Sequence, residues 1–378
     1  MTTGTPGFFW TVFSFLIVIG PLIFVHELGH YFVGRWFGVG ADTFSIGFGR
    51  EILGWTDKRG TRWKVGWLPM GGYVKFAGDM NPASQPSDEW LHLPPEERNR
   101  TFQSKPVWKR FLIVLAGPAT NFLFAILVFW AFNMAFGEPR TPPVVETVLQ
   151  NSAAAQAGLR PGDRITSIDG SAIDRFEDIA QRVVLRPGDA VSIGFVRGGR
   201  PLETRATLRA DTQTDKFGNS FKRGVLGIGN RSIVIEPVPP LEAFAGSLRQ
   251  SWTIVSMTMD GIGQMIVGKR SLQELGGPLK TAKFSGEQAT LGPLALVWFM
   301  AAISINLGFI NLLPIPMLDG GHLFFYAVEG VRRKPLRPEA QDWAFRTGLA
   351  MLLALMVFVT LNDLASFGLW SKLGGLIG

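Results

Sequence analysis

The chain has 378 residues, of which 47% are hydrophobic and 18% are charged, and its formal net charge is +7 at pH 7. This composition is too apolar for an ordinary soluble domain, yet polar stretches interrupt it too often for a bundle of membrane spans alone. Because the chain has no cysteine, disulfide bonds and thiolate sites are excluded, and any metal site must use histidine and carboxylate ligands.

Four apolar segments are long enough to cross a membrane, since a hydrocarbon core of about 30 Å requires about 20 apolar residues in a helix. They cover residues 8–34, 109–136, 291–316 and 343–361. The first has neither a basic region before it nor a small-residue cleavage site after it. We therefore interpret it as an uncleaved helix and not as a secretory signal.

The distribution of Lys and Arg predicts how these spans are oriented. Residues 35–110 contain twelve of them and residues 332–346 contain five, whereas the seven residues before the first span contain none. By the positive-inside rule both basic connections are cytosolic, so the N-terminus, residues 137–290 and the C-terminus lie outside. The excess of positive charge is then topological, and we expect no nucleic-acid partner.

Residues 241–267 are apolar in places but contain Glu242, Arg249 and Asp260. Their large apolar residues recur every three or four positions, which favours an amphipathic helix that packs on a domain or lies at the membrane surface. A fifth span is the alternative. It would reverse the orientation of the following span.

The sequence "HELGH" lies inside the first apolar segment. Two histidines four residues apart on a helix, His26 and His30, can offer nitrogens to one tetrahedral Zn²⁺, with Glu27 placed to accept a proton from water. An ionisable residue at membrane depth is costly, which favours a functional role. The alternative is a pair of core histidines satisfied by neighbouring helices.

A third zinc ligand is predicted in "NLLPIPMLDGGHLF", where Asp319 follows an apolar segment broken by Pro314 and Pro316. With four spans, Asp319 lies at the same membrane level as His30, near the cytosolic side. The alternative is an acid that caps a helix at the membrane surface. His322 as a fourth ligand would close the site against water, so we expect it to support the ligands or the fold.

Two polar regions separate the spans. Residues 60–76 have strand-like runs with glycines, which fits a hairpin or looped sheet that dips toward the site; a cytosolic hairpin without substrate contact is the alternative. Residues 139–235 have short β-branched runs between turns, and "AGLRPGDRITSIDG" resembles a bacterial PDZ domain, a class that binds peptides as an added strand. "GVLGIGN" at 224–230 is a candidate for part of its peptide-binding loop, and a rigid cap without a ligand is the alternative.

Taken together, the motifs resemble the site-2 protease family of intramembrane metalloproteases, and within it the bacterial branch of regulator of sigma-E proteases. The resemblance covers almost the whole chain and rests on five features. They are "HELGH", "LPMGGYVKFAGD" at 68–79, "AGPATNF" at 116–122, the PDZ-like segment, and "SINLGFINLLPIPMLDGGHL" at 304–323.

The resemblance implies a zinc endopeptidase with His26, His30 and Asp319 as ligands and Glu27 as general base. It also implies a substrate-binding group made of Asn306, Asn311, Gly71, Gly72 and Tyr73. For the two asparagines, a hydrogen bond between helices is the alternative. The implied substrates are single-span membrane proteins, namely anti-sigma factors and remnant signal peptides, cut in regulated intramembrane proteolysis at a bacterial inner membrane. The best-known relatives carry two PDZ domains in tandem, whereas we expect one in this sequence.

The predicted fold class is an α-helical polytopic membrane protein with four transmembrane helices, a membrane-associated β-hairpin or sheet and an inserted periplasmic PDZ-like α+β domain. Its predicted parts are listed in chain order. They are residues 1–136 with the first two spans and a cytosolic β-rich loop at about 37–107, the PDZ-like domain at 137–235, an amphipathic helical linker at 236–290, and the last two spans at 291–378.

Two other functions compete with the protease. A membrane scaffold would use its PDZ-like domain to bind partners and hold a structural metal, although a structural zinc site is normally closed by a fourth ligand. A zinc transporter would need further His or Asp along a path through the spans, and the four segments have almost none. Besides protein substrates, we expect membrane lipid and a peptide ligand of the PDZ-like domain as partners.

Overall fold

The computed structural model describes residues 7–79, 92–184, 186–214, 220–230, 232, 234–267, 276–334 and 338–366. The predicted loop, PDZ-like domain, linker and last part also include residues that lie outside the described ones. By its internal contacts the chain divides into two compact units. One, here called the helical unit, combines residues 1–130 and 247–378, and the other, here called the inserted domain, covers residues 131–246.

The first part of the chain contains a long helix, a two-stranded sheet and a second long helix. Its elements are α1 (Phe8–Trp36), β1 (Ala41–Thr56), β2 (Arg62–Phe76), α2 (Pro95–Arg98) and α3 (Val107–Phe136). The two strands are antiparallel, and Phe44 of β1 pairs with both Trp63 and Val74 of β2. The start of β1 therefore lies between two segments of β2, which makes the predicted hairpin a folded sheet.

The inserted domain is mainly β-structure. It contains β3 (Glu138–Arg140), β4 (Thr147–Val148), α4 (Ala153–Gln156), β5 (Arg164–Ile168), β6 (Ser171–Ala172), α5 (Phe176–Val183), β7 (Ala190–Arg197), β8 (Arg200–Thr207), β9 (Arg209–Thr214), β10 (Ser220–Val225), β11 (Ile228–Gly229) and β12 (Val234–Glu236). Four strands form an antiparallel sheet in the order β6-β5-β7-β8. Alternate residues of strand β7 are buried in an apolar core that belongs to the inserted domain. They are Val191, Ile193 and Phe195.

The last part of the chain is helical. It contains α6 (Pro240–Ile266), α7 (Pro278–Thr290), α8 (Pro293–Asn311), α9 (Asp319–Arg332) and α10 (Pro338–Ser366). The predicted linker at 236–290 thus contains two helices within its described residues, and α7 was not predicted. Its N-terminus is capped from a distance, because the buried Asp363 of α10 accepts hydrogen bonds from the backbone N–H groups of Gly277 and Lys280.

Four helices in the described residues are long and apolar enough to cross a membrane, which confirms the predicted number of spans. They are α1, α3, α8 and the part of α10 from Trp343 to Ala365. The third ends at Asn311 and not at residue 316, since the chain turns before Pro314 and Pro316. Helix α6 is not among the four.

Helix α6 is amphipathic, as predicted, but within the helical unit it packs on the spans. Val255 of α6 lies in one apolar cluster with Phe129 of α3 and Ile305 of α8. On other faces of the same helix, Trp252 and Met257 are each 68% exposed. The sequence pattern identified the amphipathic helix but not the surface that it covers.

Candidate metal centre

Helix α1 brings three ionisable side chains into the interior of the helical unit. His26, Glu27 and His30 are all buried, although the helix around them is almost entirely apolar. The two histidines lie one helical turn apart, so their imidazole rings project from the same face. Their ring centroids are 4.9 Å apart and their Nε2 atoms 3.3 Å apart.

Asp319 joins the two histidines from a distant part of the chain. Its Oδ2 atom lies 3.1 Å from Nε2 of His26, and its Oδ1 atom lies 3.5 Å from Nε2 of His30. Within the described residues these three side chains form a group that could hold one metal ion. The structure therefore brings together the three ligands that the sequence predicted.

The separations between the ligand atoms fit a tetrahedral zinc site. Zinc bonds to nitrogen or carboxylate oxygen are about 2.0–2.2 Å long, which places ligand atoms about 3.3–3.6 Å apart in a tetrahedron. The two Nε2 atoms are 3.3 Å apart, and the nearest carboxylate oxygen of Asp319 lies 3.1 Å from Nε2 of His26 and 3.5 Å from Nε2 of His30. Moreover, Oδ2 of Asp319 is buried and forms no hydrogen bond of normal geometry, despite its short distance to His26. The three ligand groups therefore converge on one small volume.

A tight turn between α8 and α9 positions Asp319 at this centre. After α8 ends, Met317 adopts the left-handed conformation (φ 80°), and Asp319 is the first residue of α9. A Cβ atom on Gly320 would lie 2.1 Å from the carbonyl oxygen of Leu313, and one on Gly321 would lie 2.5 Å from that of Ile315. The glycines of "LDGG" are needed because the broken segment folds back onto the first turn of α9.

Helix α3 holds His30 in a defined orientation. Nδ1 of His30 lies 2.9 Å from the backbone carbonyl oxygen of Ile113. A carbonyl can only accept, so Nδ1 carries the proton and Nε2 keeps its lone pair for a metal. The ring also lies directly over Gly117, where a Cβ atom would be 2.2 Å from Nε2.

A cavity of about 470 Å³ opens at the candidate metal centre. Besides the three ligands, it is lined by Glu27, Gly71, Gly72, Tyr73 and Asn311, all of which the sequence placed at the site. Gly72 of β2 lies against α1, since a Cβ atom there would be 3.0 Å from Cγ of Glu27. In the part of the chain that the structure describes, residues 72–76 pair only with β1. One edge of this strand therefore has no strand partner among the described residues.

Asn306 occupies a different position from the other predicted residues. It is not among the residues that line the cavity. Its Oδ1 atom instead accepts a 2.7 Å hydrogen bond from the hydroxyl of Thr258 on α6. This contact corresponds to the alternative weighed for the asparagines, a hydrogen bond between helices.

His322 lines the same cavity but is not part of the metal group. Its ring packs on Phe345 of α10 at 4.9 Å and faces Tyr326 at 6.4 Å between centroids. The metal group consists of three ligands among the described residues, which leaves a coordination position for water or substrate.

Sequence reasoning gave no role to three groups of α3 that contact the histidines: the Ile113 carbonyl, Gly117 and Asn121. The side chain of Asn121 lies 3.0 Å from Nδ1 of His26. The motif "AGPATNF" contains two of these residues and was noted only as a family feature. An asparagine in the middle of an apolar span is a signal that could have identified Asn121, whereas a backbone carbonyl leaves no trace in the sequence.

Comparison with known proteins gives a consistent result. The model of Peptidase family M50 matches residues 14–355. A protein of Agrobacterium fabrum, named provisionally as a zinc metalloprotease, is 44% identical over 362 residues, which cover 94% of this chain and 96% of the relative. Metalloprotease MmpA of Caulobacter vibrioides is 37% identical over 397 residues, covering 98% of this chain and 99% of that protein.

Among solved structures, the PDZ domain of an SdrC-like protein from Listeria monocytogenes aligns with 23% of this chain and 84% of its own, at 28% identity and a TM-score of 0.19.

Proposed function

The chain belongs to Peptidase family M50 and is a zinc metalloprotease, and from this premise we propose that it is an intramembrane endopeptidase. The observation that carries the proposal is the position of the metal group. His26 and His30 lie within a candidate membrane span, and Asp319 reaches them through the turn that follows another. A peptide bond that reaches these ligands lies inside or near the membrane.

In the proposed reaction, Glu27 is the general base. It is the buried carboxylate beside the ligands on α1, and it lines the cavity without belonging to the metal group. His26, His30 and Asp319 would hold the zinc ion, which when bound would supply Lewis-acid chemistry that polarises the scissile carbonyl and lowers the pKa of water. Glu27 accepts the proton of the attacking water and returns it to the leaving amine, so that one peptide bond breaks and one water molecule is consumed.

The strand edge beside the cavity is proposed to hold the substrate. A helix hides its backbone carbonyls, so a transmembrane substrate must be extended before it is cut. Gly71, Gly72 and Tyr73 line the cavity at the available edge of β2. An extended peptide would pair with this edge by β-augmentation, which aligns a carbonyl with the metal centre.

The two asparagines are proposed to have different tasks. Asn311 lines the cavity and is placed to donate a hydrogen bond to the substrate backbone. Asn306 is held by Thr258, and a role in joining α8 to α6 accounts for that contact. Substrate binding by Asn306 stays a prediction that would require the hydrogen bond to Thr258 to break.

The biological setting is proposed from the sequence pattern. The Lys and Arg distribution supports an orientation with the N-terminus and the inserted domain in the periplasm and the active site near the cytosolic side. The bacterial relatives support a bacterial inner membrane as the location. The proposed substrates are single-span proteins already shortened outside the membrane, such as anti-sigma factors and remnant signal peptides. The inserted domain, with its PDZ-like sequence, is proposed to bind a peptide and to regulate access.

The test compares the parent protein with a Glu27→Gln variant, both purified in detergent and supplied with a single-span substrate that lacks its outer domain. We expect the variant to cleave about 10²–10⁴-fold more slowly, which is the contribution of a positioned general base. Elemental analysis should show the same zinc content in both.

Equal cleavage by the two proteins would overturn the role of Glu27. Zinc bound without cleavage of several truncated substrates would favour the membrane scaffold with a structural metal site.

A further inference from the structure

The two histidine ligands are oriented by different kinds of groups. His30 donates its Nδ1 proton to a backbone carbonyl, which fixes the tautomer whose Nε2 atom can bind metal. His26 needs the same tautomer, because its Nε2 atom is the one that lies near Asp319. An acceptor must therefore face Nδ1 of His26 when the metal is bound.

The side chain that faces Nδ1 of His26 is Asn121 of α3. This residue is fully buried, and its Nδ2 atom lies 3.0 Å from Nδ1. The other amide atom, Oδ1, is buried without a hydrogen-bond partner among the described residues. In this arrangement the amide donates to Nδ1, which leaves the proton of a neutral imidazole on Nε2, where it faces Asp319.

A half-turn of the amide exchanges the positions of Oδ1 and Nδ2 and thereby changes the tautomer of His26, while the N–H donors of the amide move to the space that Oδ1 occupies now. It brings Oδ1 to Nδ1, where it accepts a proton from the imidazole and is no longer unpaired. The proton of His26 then resides on Nδ1, and Nε2 is free to bind metal, with no change in the net charge of the ring. The backbone of Asn121 is held independently, because its carbonyl accepts a 2.9 Å hydrogen bond from Ser304 on α8.

We propose that Asn121 is a positioning residue that holds His26 in the Nδ1–H tautomer through Oδ1 and thereby tightens zinc binding. The proposal rests on the proposed metal centre and deepens it. A packing role for Asn121 is the competing explanation, since asparagines also join helices inside membranes.

Two substitutions of nearly the same shape separate these explanations. Asn121→Leu removes the acceptor, and we expect zinc affinity, measured by competition with a chelator, to fall about 10–100-fold, as is typical for groups that orient metal ligands. Asn121→Asp keeps an acceptor, so it should bind zinc at least as tightly as the parent. A packing role predicts the reverse order, because a buried apolar residue is tolerated there and a buried charge is not.

The matched control is Asn133→Leu in the same helix. Asn133 is also buried, but it donates to the backbone carbonyl of Ala243, so its loss should leave zinc affinity unchanged. If the parent binds zinc and Asn121→Leu binds it equally well, the inference fails while the metal centre stands. If the parent binds no zinc, both fail.

A second measurement reads the tautomer of His26 directly in the parent protein and uses a variant only to assign the signals. The chain has four histidines, so labelling with ¹⁵N-histidine gives a simple NMR spectrum. We expect the zinc-loaded protein to show His26, assigned by the loss of its signals in His26→Gln, with a protonated Nδ1 that exchanges slowly. A zinc-loaded His26 with its proton on Nε2 would overturn the proposal.

Discussion

Two aspartates differ in how their side chains are paired: Asp163, which is buried in the inserted domain, and Asp319, which is partly buried in the helical unit. Asp163 receives hydrogen bonds of 2.7 Å on both oxygens from Arg197 and a third from the backbone N–H of Arg160. Asp319 has an oxygen with no such bond and faces two histidines. A buried charge that is fully paired is tolerated in a fold, whereas charged and polar groups that converge without being fully paired indicate a ligand still to be bound.

The largest loss of zinc affinity is expected from a substitution of Gly117, because the ring of the candidate ligand His30 lies against this glycine. Gly117→Ala would place a methyl group 2.2 Å from Nε2 of His30. Because a metal site tolerates displacements of only about 0.5 Å, we expect zinc affinity to fall at least about 100-fold in a chelator competition.

Gly20→Ala on α1 is the control, since a Cβ atom there meets nothing within 4 Å. It should bind zinc as the parent does. A Gly117→Ala variant with unchanged affinity would show that His30 does not hold the metal in this position.

The two asparagines of α8 sharpen the comparison within the helical unit. Asn311→Ala should lower kcat/KM for a membrane substrate about tenfold, which is the loss expected for one hydrogen bond of about 1.4 kcal/mol. Asn306→Ala should change kcat/KM less than twofold and lower stability by about 0.6 kcal/mol, the typical value for a hydrogen bond between membrane helices. A larger loss of kcat/KM in Asn306→Ala than in Asn311→Ala would instead support substrate binding by Asn306.

The prediction for the inserted domain concerns its paired charge. Burial raises the pKa of Asp163, but the hydrogen bonds from Arg197 and the Arg160 backbone outweigh it, so the net pKa lies below its ordinary value. A carboxylate with a lowered pKa stabilises the fold above the unfolded pKa of about 3.9 and loses this effect as pH falls toward the folded pKa.

Asp163→Asn should therefore destabilise the domain by about 2 kcal/mol at pH 7, with a smaller difference below about pH 4. The loss of stability at pH 7 and the smaller loss below about pH 4 can both be measured by hydrogen exchange of the β5 amides in the full chain, corrected for intrinsic exchange rates. Asp211→Asn is the matched control, because its ion pair with Arg223 is exposed and should contribute less than about 1 kcal/mol. If the loss of stability in Asp163→Asn did not depend on pH, it would contradict the lowered pKa of Asp163 in the folded protein.

Much of this architecture could be predicted from the sequence, because the membrane requires long apolar helices and makes a motif such as "HELGH" conspicuous. Asp319 could also be identified, since prolines and glycines mark the broken segment before it. Side-chain contacts that depend on how the helices pack could not be predicted from the sequence. The Thr258 hydrogen bond to Asn306, the Asp363 cap on α7 and the Asn121 contact with His26 each join positions far apart in the chain.

The central claim is that His26, His30 and Asp319 hold one zinc ion, and the most direct test is zinc content after gel filtration for Asp319→Asn and Asp363→Asn. Both aspartates belong to the helical unit, but Asp363 caps α7 and lies outside the metal group. We predict that the Asp319 variant loses its zinc and that the Asp363 variant, although less stable, keeps it. Zinc retained in full by Asp319→Asn would contradict the assigned centre.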